Sequence, residues 1–228
     1  VDKFLLFGGS FDPIHHGHLI VARYVAEFLG ARRVILVPAA SPPHKAPGLL
    51  APASDRLAMC RLAVTGDPQF EVSDWETKEP GGRGAVEVST AQGQPGAPTC
   101  AAEQPRPNYT IYTVRHFREV LGVGANLYWL IGMDSLHELG SWHRAAELVD
   151  DCTIVTAARP GCEPPDGAML ARCFSPSQVE KLLGHIVDNP RIDIAGTDIR
   201  ARVRAGRSIR YLVPDAVRSY IAARGLYQ

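Results

Sequence analysis

The sequence carries no surplus of charge: 24 Lys and Arg stand against 24 Asp and Glu over 228 residues. Proteins that grip a nucleic-acid backbone draw much of their affinity from a basic excess, so this balance argues against a polynucleotide partner. A small phosphorylated ligand asks only for a local cluster of positive groups. Cysteine is scarce too. Cys60, Cys100, Cys152, Cys162 and Cys173 are odd in number and none stands in a C-x-x-C pair, so neither a disulfide framework nor a zinc site is indicated. Reduced thiols in a cytoplasmic protein are the simpler reading. No apolar run nears the ~20 residues that span a bilayer, and Phe4-Leu5-Leu6-Phe7 is too short for a secretory signal. The expectation is a soluble cytoplasmic protein with neither membrane nor nucleic acid as partner; self-association is left open.

What is present is a rhythm. Hydrophobic residues make up 46% and charged residues 21%, an ordinary globular balance. The chain suffices for one sizeable α/β domain, and we expect residues 1–228 to form it. Short apolar runs suggest strands at Phe4–Phe7, Val34–Val37, Phe70–Val72, Leu127–Ile131, Thr153–Ala157 and Ile192–Ile194. Between them, apolar residues recur three and four apart. Ile20/Val21, Tyr24/Val25 and Phe28/Leu29 predict a helix that starts near His18 and stops at Gly30. Similar patterns predict helices from Ser54 to about Val64, from Tyr109 to Leu121, and from Gly132 through Trp142 to Leu148. Helices over Thr197–Ala205 and Pro214–Ala223 make a small C-terminal helical part, the second with Pro in its first turn. Strands alternating with helices predict a Rossmann-like, doubly wound parallel sheet covered on both faces. Ligands then sit beyond the carboxyl ends of the strands, where strand order reverses. From Glu79 to Asn108 ten of thirty residues are Pro or Gly. We read that stretch as a mobile insert, with a brief strand at Val86-Glu87-Val88.

Three segments carry chemistry. In the first, the strand Phe4–Phe7 stops at Gly8-Gly9 and leads through Ser10-Phe11-Asp12-Pro13-Ile14 to His15-His16-Gly17-His18 at a helix start. Paired glycines let backbone approach a bulky anion, and a helix amino terminus offers free N–H groups to phosphate. Two imidazoles can donate to oxygens that gain charge as a phosphoanhydride breaks. In the second, Thr197 is placed to cap a helix, with Asp198, Ile199 and Arg200 in its first turn, so that Thr197 and Arg200 can meet the same anion. In the third, Gly132 ends a strand and is followed by Asp134, whose carboxylate suits ribose hydroxyls, and by Trp142, which can stack on a flat, electron-poor ring.

The stretch Gly8–Leu19 closely resembles the opening motif of bacterial nicotinate-nucleotide adenylyltransferases, members of a superfamily marked by His/Thr-x-Gly-His. The resemblance implies a Rossmann-like fold and magnesium-dependent transfer of the adenylyl group of ATP to nicotinate mononucleotide. It places His15, His18, Thr197 and Arg200 in catalysis. Gly8, Gly9, Ser10, Phe11, Gly17, Gly132, Asp134, Asp198 and Ile199 join them in binding ATP. The segment Ala195–Arg200 is similar to the family's Ile-Ser-Ser-Thr-x-Ile-Arg, but Ala195-Gly196 occupy the places of two serines, which removes two hydroxyl donors. Ile131–Trp142 resembles Ile-Gly-x-Asp…Trp, which implies Asp134 on ribose and Trp142 on the nicotinate ring. Pro42-Pro43-His44-Lys45 is similar to a loop near the mononucleotide. Pro107–Thr113 is similar to Pro-Ser-Tyr-Thr-x-Asp-Thr, with Tyr112 in place of Asp and Tyr109-Thr110 meeting the nicotinate carboxylate. Arg159-Pro160-Gly161 is similar to the family's Arg-Pro-Gly, whose Arg approaches the mononucleotide phosphate. The mononucleotide set is thus Ser10, Asp12, His44, Lys45, Tyr109, Thr110, Asp134, Trp142 and Arg159. Magnesium is implied as a cofactor held mainly by ATP phosphates, with no dedicated protein ligand. Nicotinamide mononucleotide or another phosphorylated acceptor, and a nucleotide-binding homologue without catalysis, stay open as alternatives.

Overall fold

The computed structural model describes residues 1–42, 50–78, 108–122 and 124–228. Six strands form one sheet: β1 (Lys3–Gly9), β2 (Arg33–Pro38), β3 (Phe70–Val72), β4 (Asn126–Gly132), β5 (Thr153–Ala157) and β6 (Ile186–Val187). Their spatial order is β3-β2-β1-β4-β5-β6 and each neighbouring pair is parallel. The order reverses between β1 and β4, where Lys3 to Leu6 pair with Asn126 to Trp129. Two halves therefore run outward from one seam, and the crevice for a ligand opens past Gly9 and Gly132.

The helices are α1 (His16–Leu29), α2 (Ala53–Ala63), α3 (Trp75–Lys78), α4 (Thr110–Leu121), α5 (Met133–Glu138), α6 (Ala145–Asp151), α7 (Gly167–Leu170), α8 (Pro176–Leu183), α9 (Gly196–Arg204) and α10 (Asp215–Arg224). Successive side chains of a strand point to opposite faces, and the core divides accordingly. Leu5, Val34, Leu36, Leu130 and Val155 pack beneath α1, α2, α9 and α10. Phe4, Leu6, Ile35, Val37, Trp129, Ile131 and Ile154 pack beneath α4, α5, α6 and α8. The doubly wound reading holds, and α9 and α10 belong to the core of one sheet face.

Some boundaries differ from the sequence reading. The strand expected at Ile192–Ile194 is an irregular segment, and the last strand is the two-residue β6 that pairs with Thr156 and Ala157. Two residues are too few for a period-two pattern to show. The helix expected from Gly132 to Leu148 is α5, a 3-10 turn over Leu139–Ser141, and α6. Arg144, in the left-handed region at φ 55°, stands immediately before α6 and prevents one continuous helix. Pro52 and Pro214 are N-caps of α2 and α10, so Ser54 lies inside a helix and Pro214 lies just outside one. Val86-Glu87-Val88 lies outside the described residues, as does most of the segment read as an insert.

Candidate active site

The α1 helix begins earlier than its apolar spacing suggests, at His16, because His15 caps it. His15 Nδ1 accepts the His18 backbone N–H at 3.4 Å, and His18 Nδ1 accepts the His15 backbone N–H at 3.3 Å. This is a capping box built from two imidazoles. An Nδ1 that accepts must be unprotonated, so the ring proton of each neutral histidine sits on Nε2. The rings stack with centroids 3.6 Å apart, an arrangement that disfavours two positive charges. Burial, with Arg159 and His16 adding repulsion, lowers the His15 pKa to about 4. Burial first, then His15 and Arg159, hold His18 well below the ordinary histidine value. The pair therefore stands at neutral pH as two Nε2–H donors without charge. Both line a cavity of about 380 Å³.

The glycines before them have a more local reason than anion approach. A Cβ on Gly8 would lie 2.4 Å from the Trp129 ring, so Gly8 is what lets the indole lie across the end of β1. Phe11, fully buried, meets the rings of Phe7 and His18 edge-on at 5.4 and 5.1 Å. It braces His18 and lines neither cavity described here. Arg56, 1% exposed, holds the loops in place. Its guanidinium donates to the carbonyl oxygens of Ser10 at 2.7 Å, Ala39 at 2.6 Å, Ala40 at 3.1 Å and Ala51 at 2.9 Å. A buried cation is tolerated there because carbonyl dipoles replace its hydration.

Across the cavity stands α9. Its N-cap is Ala195 and no side chain caps it, so Thr197 is a first-turn residue whose exposed side chain lines the cavity. A Cβ on Gly196 would lie 2.9 Å from the Asp12 carbonyl oxygen, a backbone atom that has no room to give. Glycine at this place lets α9 dock on the β1–α1 loop. Arg200 Nη1 donates to that same carbonyl at 2.6 Å and stands 3.5 Å from Asp12 Oδ2. Asp12, expected among the mononucleotide residues, lies on the histidine side of the site, buried among chain partners. Asp198 is exposed and lines neither cavity, while Ile199 is fully buried in the core. Of these two, the α9 backbone alone is near the site.

A second cavity, of about 610 Å³, adjoins the first and shares Ser10, His18, Gly132, Asp134 and Arg159 with it. Gly8, Gly9, Tyr109, Thr110, Trp129 and half-buried Trp142 also line it, whereas Gly17 lines the first. Tyr109 is the N-cap of α4, so the backbone N–H groups of Thr110 and its successors face the start of the helix without a side-chain cap. Asp134 and Arg159, both half-exposed, form an ion pair at 2.6 Å at the junction of the two cavities. An exposed pair of this kind is worth about 0–1 kcal/mol, so a ligand carrying both hydroxyl and phosphate groups can take over either partner.

Several residues of this wall escaped the sequence reading. His143 stacks on Tyr109 at 4.3 Å and its Nε2 lies 3.2 Å from the Tyr112 hydroxyl, so Tyr112 has a partner that Asp would not reach in the same way. Asn108 Oδ1 accepts the Ser41 N–H at 2.9 Å and its own N–H donates to Ser41 O, which ties the segment after β2 to the start of α4. Glu76, 5% exposed, lines the cavity and accepts the Thr113 hydroxyl at 2.6 Å. A nearby Asn-Tyr-Thr at a predicted helix start was the one available signal; the others depend on contacts between distant segments. His44 and Lys45 lie outside the described residues.

Among the described residues, no group of three or more His, Cys, Asp and Glu side chains converges as a metal site. The carboxylates lining the first cavity are Asp12, Asp134 and Asp193, and the first two already face arginines. That donor set fits a cation carried by phosphate oxygens and water better than one caged by protein. Among the same residues, no helix is long and apolar enough to cross a membrane.

Residues 6–202 match the family model described as cytidylyltransferase-like. The chain is 38% identical to a protein of Thermomicrobium roseum named "Probable nicotinate-nucleotide adenylyltransferase", over 98% of this chain and 90% of the other. A protein of the same name from Thermus thermophilus is 37% identical over 98% of each chain. The structure of Plasmodium falciparum nicotinic acid mononucleotide adenylyltransferase complexed with NaAD superposes with a TM-score of 0.70 at 15% identity, covering 100% of this chain and 98% of that one. At that identity the superposition speaks for the fold alone: the same Rossmann-like doubly wound architecture. The sequence identities, sustained over nearly the whole of both chains, say more: the chain belongs to the nicotinate-nucleotide adenylyltransferase family.

Proposed function

We propose that the protein transfers the adenylyl group of ATP to nicotinate mononucleotide, forming nicotinate adenine dinucleotide and pyrophosphate in NAD biosynthesis. The observation that carries this reading is the pair of adjoining cavities past the seam strands, one lined by His15, His18, Thr197 and Arg200, the other by Tyr109, Thr110 and Trp142. ATP occupies the first and the mononucleotide the second. A 5′-phosphate oxygen of the mononucleotide attacks the α-phosphorus of ATP, the bond to the bridging oxygen breaks, and pyrophosphate leaves with that oxygen. The nucleophile is already an anion, so no protein base needs to deprotonate it and no protein group needs to be adenylylated on the way. His15 and His18 donate from Nε2 to phosphate oxygens, and Arg200, Thr197 and the α9 backbone meet the departing pyrophosphate. Charge neutralisation there is the chemistry that magnesium would supply when bound, held by phosphate oxygens and water rather than by a protein cage. Ser10, Asp134 and Arg159 stand between the cavities, at the place of ribose and mononucleotide phosphate, and Trp142 stacks on the pyridine ring. We place the reaction in the cytoplasm, with these two nucleotides as partners.

The test is pyrophosphate release with ATP and magnesium, run side by side on nicotinate and nicotinamide mononucleotides. The expected result is turnover with nicotinate mononucleotide well above that with the amide. Equal turnover removes the proposed acceptor preference, and protection of the protein by ATP without turnover on either leaves a binding protein.

A further inference from the structure

Asp12 is the point at which the two walls of the ATP side meet, and a residue near the far end of the chain holds it. The Tyr227 hydroxyl donates to Asp12 Oδ1 at 2.6 Å, across 215 positions of sequence. The Ala51 N–H donates to the same oxygen at 3.2 Å. Arg200 takes the Asp12 carbonyl at 2.6 Å, and its guanidinium stands 3.5 Å from Oδ2. Asp12 is 4% exposed, and Oδ2 has no hydrogen-bond partner among the described residues.

The approach of Tyr227 is built with care along the chain. On α10, Tyr220 and Arg224 both donate to Asp55 of α2, at 2.7 and 3.2 Å. Gly225 ends the helix in the left-handed region, and the Leu226 N–H returns to Ile221 O at 3.1 Å. Tyr227 itself holds φ 65°. The bond to Asp12 and packing against the core under α1 and α2 hold it in that left-handed conformation, which a residue with a Cβ rarely adopts. Burial and the neighbouring Asp12 raise the Tyr227 pKa, so its hydroxyl is a donor at neutral pH.

We propose that Tyr227 is a positioning residue for adenylyl transfer: it draws the Asp12 carboxylate away from Arg200 and so keeps that guanidinium turned to the ATP cavity. The proposal rests on the reading of that cavity given above. A buried carboxylate seeks a full set of donors. With the phenol gone, Oδ1 retains Ala51, and the cation already beside Oδ2 is Arg200, whereas four of the five N–H groups of Arg56 are taken by carbonyl oxygens. The Asp12–Arg200 ion pair, now 3.5 Å at Oδ2, then tightens into a hydrogen-bonded pair, and Arg200 is lost to phosphate.

Tyr227→Phe keeps the ring and removes one oxygen. Its expected effect is a rise of about tenfold in the KM and the dissociation constant for ATP, with the KM for the mononucleotide within about twofold of the parent. The decisive measurement is a double-mutant cycle on ATP binding by calorimetry. In an Arg200→Ala background Tyr227→Phe should change ATP affinity by less than about twofold, because its route to the ligand is gone. Thermal melts of each variant show that the fold is kept. Unchanged ATP affinity in Tyr227→Phe, an equal loss for both substrates, or full additivity with Arg200→Ala overturns the proposal. If the parent protein binds ATP but makes no dinucleotide, the functional reading fails, and the binding cycle still decides the role of Tyr227.

Discussion

Two imidazoles that cap the same helix turn and stack at 3.6 Å behave as one unit. Their Nδ1 atoms are occupied by backbone N–H groups, which leaves Nε2–H as the face each presents to a ligand. Preorganised donors of this kind lose no reorganisation energy as charge develops on phosphate. His18→Ala should lower kcat by roughly one hundred-fold or more, read from pyrophosphate release; near-normal turnover removes His18 from the mechanism. Glu76 is another residue whose environment sets its protonation. Burial raises its pKa from 4.5 to about 7, with the Thr113 hydroxyl and Arg56 opposing in part. The folded protein therefore keeps a proton that the unfolded chain releases between those values. Its penalty is absent below pH 4.5 and grows as pH rises through 7. Glu76→Gln can still accept from Thr113, so it should raise stability at pH 8 by roughly 1–3 kcal/mol and change little near pH 4.5. Urea midpoints at the two pH values check this, and a pH-independent difference would count against the assignment.

At the scale of elements, the site depends on how closely α9 approaches the β1–α1 loop. The gap is set by Gly196, whose missing Cβ leaves room for the Asp12 carbonyl. Gly196→Ala must push α9 and the loop apart, since neither a helix turn nor a peptide oxygen yields cheaply. We expect a loss of about 1–3 kcal/mol in stability and a fall of at least about tenfold in kcat/KM for ATP. The contrast between the two observables is informative: a stability loss with kcat/KM unchanged means that Arg200 and the histidines need not be held at this separation. The same element bears on the two serine hydroxyls that Ala195-Gly196 lack. Whatever donors Ala195-Gly196 lack as side chains, the uncapped first turn of α9 retains its backbone N–H groups.

For the whole molecule, the decisive feature is the seam between β1 and β4. Each half of the sheet brings part of the site: β1 and the loop after it carry the histidines, β4 and β5 lead to Asp134, Trp142 and Arg159, and α9 closes the first cavity. A ligand lying across the seam bonds both halves and is lost when either unfolds. ATP at one hundred times its dissociation constant should therefore stabilise the protein by about 2.7 kcal/mol, measured by chemical denaturation with and without nucleotide. No stabilisation at that ratio would mean that the nucleotide also binds the unfolded chain, or that the first cavity is not its site.

Much of this was legible from the linear chain. Backbone geometry is local, so the alternation of apolar runs and helical spacings led to a doubly wound sheet, and β1, β2, β4 and β5 fell where the runs lie. Local motifs placed His15, His18, Arg200 and Asp134 at strand ends and helix starts, where an open parallel sheet puts its ligands. The errors have local causes as well: the two-residue β6 has no periodicity, and Arg144 interrupts a helix by a backbone conformation that residue type does not announce. Tertiary structure alone decided the rest, because it concerns contacts between segments far apart in sequence. That Gly8 makes room for Trp129 and Gly196 for Asp12, that Arg56 gathers four carbonyls, and that Tyr227 closes on Asp12 are matters of which surfaces meet. The protonation of the histidine pair is likewise a property of burial, which no spacing of residues contains.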